Sequence, residues 1–83
     1  MKIFTVRDMK ADYYMNPVTY KSTGEALRAF EQACKDKESQ FNQFPSDFCL
    51  IELGEFDPSL GLITNHEVSK LLVTAADYAK KEE

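Results

Sequence analysis

FCLIELGEFDPSLGLIT, Phe48 to Thr64, alternates before it turns. Cys49, Ile51 and Leu53 fall on one side of an extended chain and Phe48, Leu50 and Glu52 on the other, which is strand periodicity with both faces at least partly covered. Gly54 interrupts the run. A bulge there lets Leu53 and Phe56 both point inward, because one extra residue resets the period of two. DPSLG then reads as a hairpin turn. Asp57 accepts backbone hydrogen bonds, Pro58 presets φ at the first turn position, and Gly61 takes the left-handed conformation that closes it. LIT starts the return strand, so the fold is expected to contain this hairpin.

The same stretch holds three carboxylates, Glu52, Glu55 and Asp57. Glu52 and Glu55, three positions apart on an extended chain, fall on opposite faces unless Gly54 bulges. Asp57 has a sufficient job in the turn. The only histidine, His66, lies in the polar connection TNHEV, where it is expected to be exposed, and no Ser or Cys beside it stands out as a nucleophile. The acids are therefore read as the solvated edge of the hairpin, which discourages strand-to-strand aggregation. No catalytic residue is expected, and the chain is not expected to be an enzyme; a small hydrolase using Glu52 and Glu55 is the outside alternative.

On the amino-terminal side, MKIFTVRD reads as a strand, with Ile3, Phe4 and Val6 as β-formers. MKADYYMNPVTY follows as a connection with a turn at Asn16-Pro17, and Val18 to Tyr20 can add a short second strand. STGEALRAFEQACKDK is the clearest helix. Ser22 and Glu25 form a capping box, and Ala26, Leu27, Phe30, Ala33 and Cys34 recur as one apolar stripe, so a helix is expected over 23–37. KESQFNQFPSD reads as a loop. The last segment has two readings: a strand near 68–73 with a short helix over 75–81, started by Thr74 and Asp77, or one continuous helix. The first is preferred.

The expected architecture is α+β: a small antiparallel or mixed sheet packed against one main amphipathic helix, with a short C-terminal helix. The 83 residues make one domain, 1–83. Hydrophobic residues at 43% and charged residues at 29% are those of a folded soluble protein, and six Phe with four Tyr point to an aromatic core. No apolar run reaches the roughly 20 residues of a membrane span, and the N-terminus lacks the apolar stretch of a signal peptide. A protein that stays in the cytoplasm is expected. Cys34 and Cys49 form no C-x-x-C, and with a single histidine they cannot assemble a zinc or redox site. They are read as buried reduced thiols, and neither metal nor cofactor is expected. The scattered glycines make no phosphate-cradling loop.

Net charge is −4, unevenly spread: residues 1–37 hold seven Lys or Arg against five Asp or Glu, residues 38–83 three against nine. Binding that neutralises several phosphates has to come from a local cluster working against an acidic whole, which predicts weak, salt-sensitive affinity. The basic and aromatic residues of the first part can still hold a single strand. Lys2, Arg7, Lys10, Lys21 and Arg28 are candidate phosphate contacts, and Tyr13, Tyr14 and Tyr20 candidate stacking platforms. The plainer reading is that these rings, with Phe41 and Phe44, plug the ends of a small core.

Taken together, MKIFTVRDMKADYYMNPVTYKSTGEALRAFEQAC, FPSDFCLIELGEFDPSLGLI and TAADY resemble the small nonstructural protein of gokushovirus-type microviruses, phages with circular single-stranded DNA genomes. The telling pieces are the first strand ending in an acid, the ALRAF helix, and PSDF leading into LGEFD and a turn with Gly61. None is a catalytic motif. The resemblance implies a non-enzymatic accessory protein of the infected bacterial cytoplasm, DNA-binding or switching replication toward single strands for packaging. It also leaves room for a protein-interaction or homodimerising module that acts on replication or procapsid proteins without contacting DNA.

Overall fold

A computed structural model of the chain describes residues 1–79. Five antiparallel strands form one sheet: β1 (Lys2–Asp8), β2 (Tyr13–Tyr14), β3 (Val18–Tyr20), β4 (Phe48–Asp57) and β5 (Leu62–Thr74). Their order is β2-β1-β4-β5, with β3 beside β2 along the same side of β1. The main helix α1 (Thr23–Lys35) lies across one face, joined by the single turns α2 (Gln40–Gln43) and α3 (Ala76–Ala79) and a 3-10 turn at Pro45–Asp47. This is the α+β architecture expected, with every pairing antiparallel.

Capping fixes the start of α1. The Ser22 hydroxyl accepts the Glu25 N–H at 3.2 Å, and the Glu25 carboxylate accepts the Lys21 N–H at 3.0 Å. The helix ends at Lys35, not at 37, because Asp36 is extended and side chains from the following turn take the last carbonyls. Ser39 donates to Ala33 O at 2.6 Å and Asn42 to Cys34 O at 2.8 Å. The stripe Ala26, Phe30 and Cys34 packs on Phe4 of β1, Phe48 and Leu50 of β4, and Ala75 and Ala79 beyond β5. Phe41, from the segment read as loop, meets Phe48 edge-on at 4.9 Å between ring centres. Cys34 and Cys49 are both buried and free. Burial, helped by Glu31, pushes the Cys34 thiol up to about 11, so it stays protonated and inert.

Two expectations about the hairpin change, and a third, conditional on a bulge, is resolved. First, the return strand is one element of 13 residues, and TNHEV is part of it, not a polar connection between two strands. Residues 68–73 are therefore strand. The short helix that follows covers 76–79, with Asp77 accepting the Thr74 N–H at 3.0 Å; residues 80–81 of the expected helix lie outside the described residues. Second, the extra residue in β4 is Leu53, since Ile3 faces Gly54 while Phe4 faces Glu52. Gly54 itself serves a close approach: a Cβ there would sit 2.2 Å from the Thr64 carbonyl oxygen. Third, the shift at Leu53 puts Glu52 opposite Phe4 and Glu55 opposite Lys2, alternate residues of β1, so the two acids share the helix-side face.

The sheet is covered along only part of its length. α1 starts at Thr23, whose hydroxyl meets Glu52, and its buried residues pack on the end of the sheet away from the hairpin turn. From Glu52 to the turn the strands continue without a helix over them, and Leu62 to Asn65 are exposed. The molecule is accordingly elongated, 47 × 24 × 18 Å.

Candidate functional site

The basic and aromatic candidates lie along one edge of the sheet. β2 and β3 run end to end beside β1, separated by Asn16-Pro17, so Tyr13 and Tyr14 pair with Asp8 and Arg7 while Tyr20 pairs with Lys2. Six residue steps of about 3.3 Å set the two ends roughly 20 Å apart. At the first end Arg7 lies over the Tyr14 ring, 5.5 Å from its centre, and forms an ion pair with Asp12. The Asp12 hydrogen bond raises the guanidinium further above its ordinary value. Asp12 holds a left-handed backbone, φ 61°, in a turn organised by Asp8, whose carboxylate accepts the Lys10 and Ala11 N–H groups at 3.1 and 3.0 Å. Lys10 is exposed there, and Tyr13 and Tyr14 are each 53% exposed.

At the other end Tyr20, Lys21 and Arg28 gather at the start of α1. Tyr20 and Arg28 border a shallow depression of about 280 Å³ with Glu25, Ala29 and Gln32. The Tyr20 ring packs on Phe4, centres 6.0 Å apart, so only part of it faces outward. Lys2 joins neither end: its ammonium points to Glu52 at 3.8 Å. The structure thus groups Arg7, Lys10, Tyr13 and Tyr14, groups Tyr20, Lys21 and Arg28, and sets Lys2 apart.

Glu52 is not the solvated edge that alternation suggested. It is 2% exposed and held from three sides. Thr23 donates its hydroxyl at 3.2 Å, the His66 Nε2 lies 2.7 Å away, and the ammonium groups of Lys2 and Lys70 stand at 3.8 and 4.0 Å. His66, expected to be exposed, is half-buried against this carboxylate. Burial by itself raises the Glu52 carboxyl; the His66 hydrogen bond, the Lys2 charge, the Thr23 hydroxyl and the Lys70 charge outweigh it and hold the group below its usual range. A buried carboxylate compensated in this way is an anchor. It ties the first turn of α1 to the wide irregularity of β5, where the partner of β4 jumps from Lys70 at Glu52 to Asn65 at Gly54. Glu55 and Asp57 remain exposed, and Asp57 does cap the turn, accepting the Ser59 and Leu60 N–H groups at 2.9 and 3.3 Å.

Reading by period alone missed the cluster for an identifiable reason. Phe48, Leu50 and Glu52 share a face, so the signal that Glu52 faces the helix was present; its partners His66 and Lys70 come from a segment whose pairing no local pattern specifies. Among the described residues no group of His, Cys, Asp and Glu is arranged to hold a metal ion, and no helix is long and apolar enough to cross a membrane.

The fold defines a small α+β domain built on one antiparallel sheet, part of it uncovered, with an aromatic and basic edge and one internal carboxylate cluster. The family model described as Phage ORF5 protein matches residues 1–78, and the chain belongs to that phage protein family. Neither the curated proteins nor the solved structures contain a match.

Proposed function

We propose that the chain is a non-enzymatic accessory protein of a microvirus-type phage, acting in the host bacterial cytoplasm in viral DNA replication or packaging, and that it binds single-stranded DNA weakly and without sequence preference. One observation carries the reading: the exposed pair Tyr13 and Tyr14 stands beside Arg7 and Lys10 on the same sheet edge that ends in Tyr20, Lys21 and Arg28. Rings of this kind stack bases at about 1–3 kcal/mol each, whatever the base. Of the five candidate cations, Lys2 and Arg7 are engaged with Glu52 and Asp12, and Lys10, Lys21 and Arg28 supply the phosphate contacts.

Three such contacts set the expected salt response. The slope of log K against log salt for a single strand is about −0.7 per phosphate neutralised, so a tenfold rise in salt weakens binding about a hundredfold. Titration of a fluorescently labelled oligothymidylate at low and then moderate salt measures this. Absence of binding at low salt removes the reading. A second reading, in which the chain acts on replication or procapsid proteins without touching DNA, is favoured by the apolar depression lined by Ile3, Pro17, Val18, Thr19, Phe56 and Ile63; on that reading the titration is flat and the phage proteins are the ligands.

A further inference from the structure

Phe41 and Phe44 come from the same short segment and have different surroundings. The Phe41 ring packs on Phe30 and Phe48, whereas Phe44 is 57% exposed. Phe44 borders a mainly apolar depression of about 420 Å³, within the size range of small-ligand sites, together with the buried Phe48 and with Asp8, Lys10, Gln40 and Asp47. Backbone bonds hold this arrangement. Phe44 follows a turn capped by the Ser39 hydroxyl, which accepts the Asn42 N–H at 3.2 Å, and its own N–H donates to Gln40 O at 2.8 Å. The Asp47 carbonyl then accepts the Met9 N–H at 2.7 Å, so the segment carrying Phe44 is fastened to the turn carrying Lys10.

We infer that this depression is a further base-stacking position for the single strand, with one base lying on the Phe44 ring and Lys10 on the phosphate that joins it to the base on Tyr13. The inference rests on the single-strand reading above and extends its site. Continuity selects the occupant. Asp8 pairs with Tyr13 on one side and with Phe48 on the other, so the three stand in one row on one side of the sheet, with Tyr13 and Phe48 about 10 Å apart. Lys10 belongs to the turn that joins Asp8 to Tyr13, and so to both places. Charge selects the part of the strand that enters. Asp8 and Asp47 repel a phosphate, so an uncharged ring goes into the depression and the phosphate stays at Lys10. The Asp8 carboxylate already accepts the Lys10 and Ala11 N–H groups, which disfavours a cationic partner in the same place. The Gln40 amide, both donor and acceptor, can meet the edge of any base and therefore adds no sequence preference.

An oligothymidylate in which 5-iododeoxyuridine replaces some of the thymidines is the probe, since irradiation joins such a base to a ring it stacks on. Crosslinks to the full chain are expected at Phe44 as well as at the tyrosines. In titration at low salt Phe44→Ala weakens binding about five- to 150-fold, and Phe44→Leu nearly as much, because leucine keeps the apolar surface and loses the ring. Phe44→Tyr retains the affinity. Circular dichroism shows all three variants folded, the side chain being mostly in solvent. Leu60→Ala, an exposed apolar position at the hairpin turn, is without effect. Binding that is indifferent to Phe44→Ala, or crosslinks confined to Tyr13, Tyr14 and Tyr20, gives the depression to another occupant and overturns the inference while the single-strand reading stands. A loss with Phe44→Ala that Phe44→Leu restores marks a merely apolar contact and overturns the stacking. A parent chain that does not bind at low salt removes both readings together.

Discussion

The two ends of the sheet differ in what holds them. At the Phe48 end α1, α2 and α3 cover one face, and the contact is made by rings: Phe30 with Phe41, Phe41 with Phe48, Phe30 with Tyr78. At the hairpin end nothing covers the strands, and order comes from backbone pairing and from Glu52 at the boundary. Cohesion of the first kind is hydrophobic and tolerant of pH. Cohesion of the second kind is ionic at one point and otherwise a matter of register, so the covered end carries the stability and the bare end is free to present surfaces.

Substitutions at the two ends break or sharpen this contrast. Phe30→Ala should cost about 3–5 kcal/mol in urea unfolding, enough to threaten a domain of this size. A small effect there would mean that the rings are not what holds the covered end. Glu52→Gln should cost about 1.5–3 kcal/mol at neutral pH by weakening charge-assisted bonds to His66 and Thr23. The Glu52 carboxyl is held below its unfolded value, so its stabilisation is complete above about pH 4.3 and is lost as pH falls further, through the folded value. The difference between parent and Glu52→Gln therefore shrinks in acid, and a difference constant from pH 7 to pH 3 would contradict the ionic anchor.

Gly54→Ala should cost about 1–3 kcal/mol, because the added methyl must push β5 away from β4. Hydrogen exchange is expected to localise that loss to the hairpin and to leave the amides of α1 protected. Ile63→Asp should change the stability of the monomer by no more than about 0.5 kcal/mol, since its side chain is already in solvent.

Much of the covered end was legible in the sequence. The Ser22–Glu25 box and the Ala26, Phe30, Cys34 stripe define α1, and the alternation of Phe48 to Glu52 with the DPSLG turn defines the hairpin, because each signal is local. The bare end was legible only in part. Which residue bulges, and what Gly54 is for, depend on how β1 and β5 line up beside β4, and register between distant strands has no local signature. Glu52 shows the cost of that gap. Polar character suggested solvent, yet His66 and Lys70 reach it only because β5 detours between Asn65 and Lys70. The candidate residues were likewise read from composition, and their division between two ends of one edge follows from β2 and β3 both pairing with β1.

The central position of β1 bears on how the chain assembles. Thr5 faces Ile51 and Val6 faces Leu50, so β1 waits for a strand made well after it. During synthesis Ile3, Phe4 and Val6 have only the short partners of β2 and β3, and a nascent chain without β4 displays an unpaired, aggregation-prone margin. Loop closure of this length slows collapse more than it weakens the finished molecule. Ribosome stalling before Phe48 should therefore leave a product that chaperones retain, and release past Thr74 should free it.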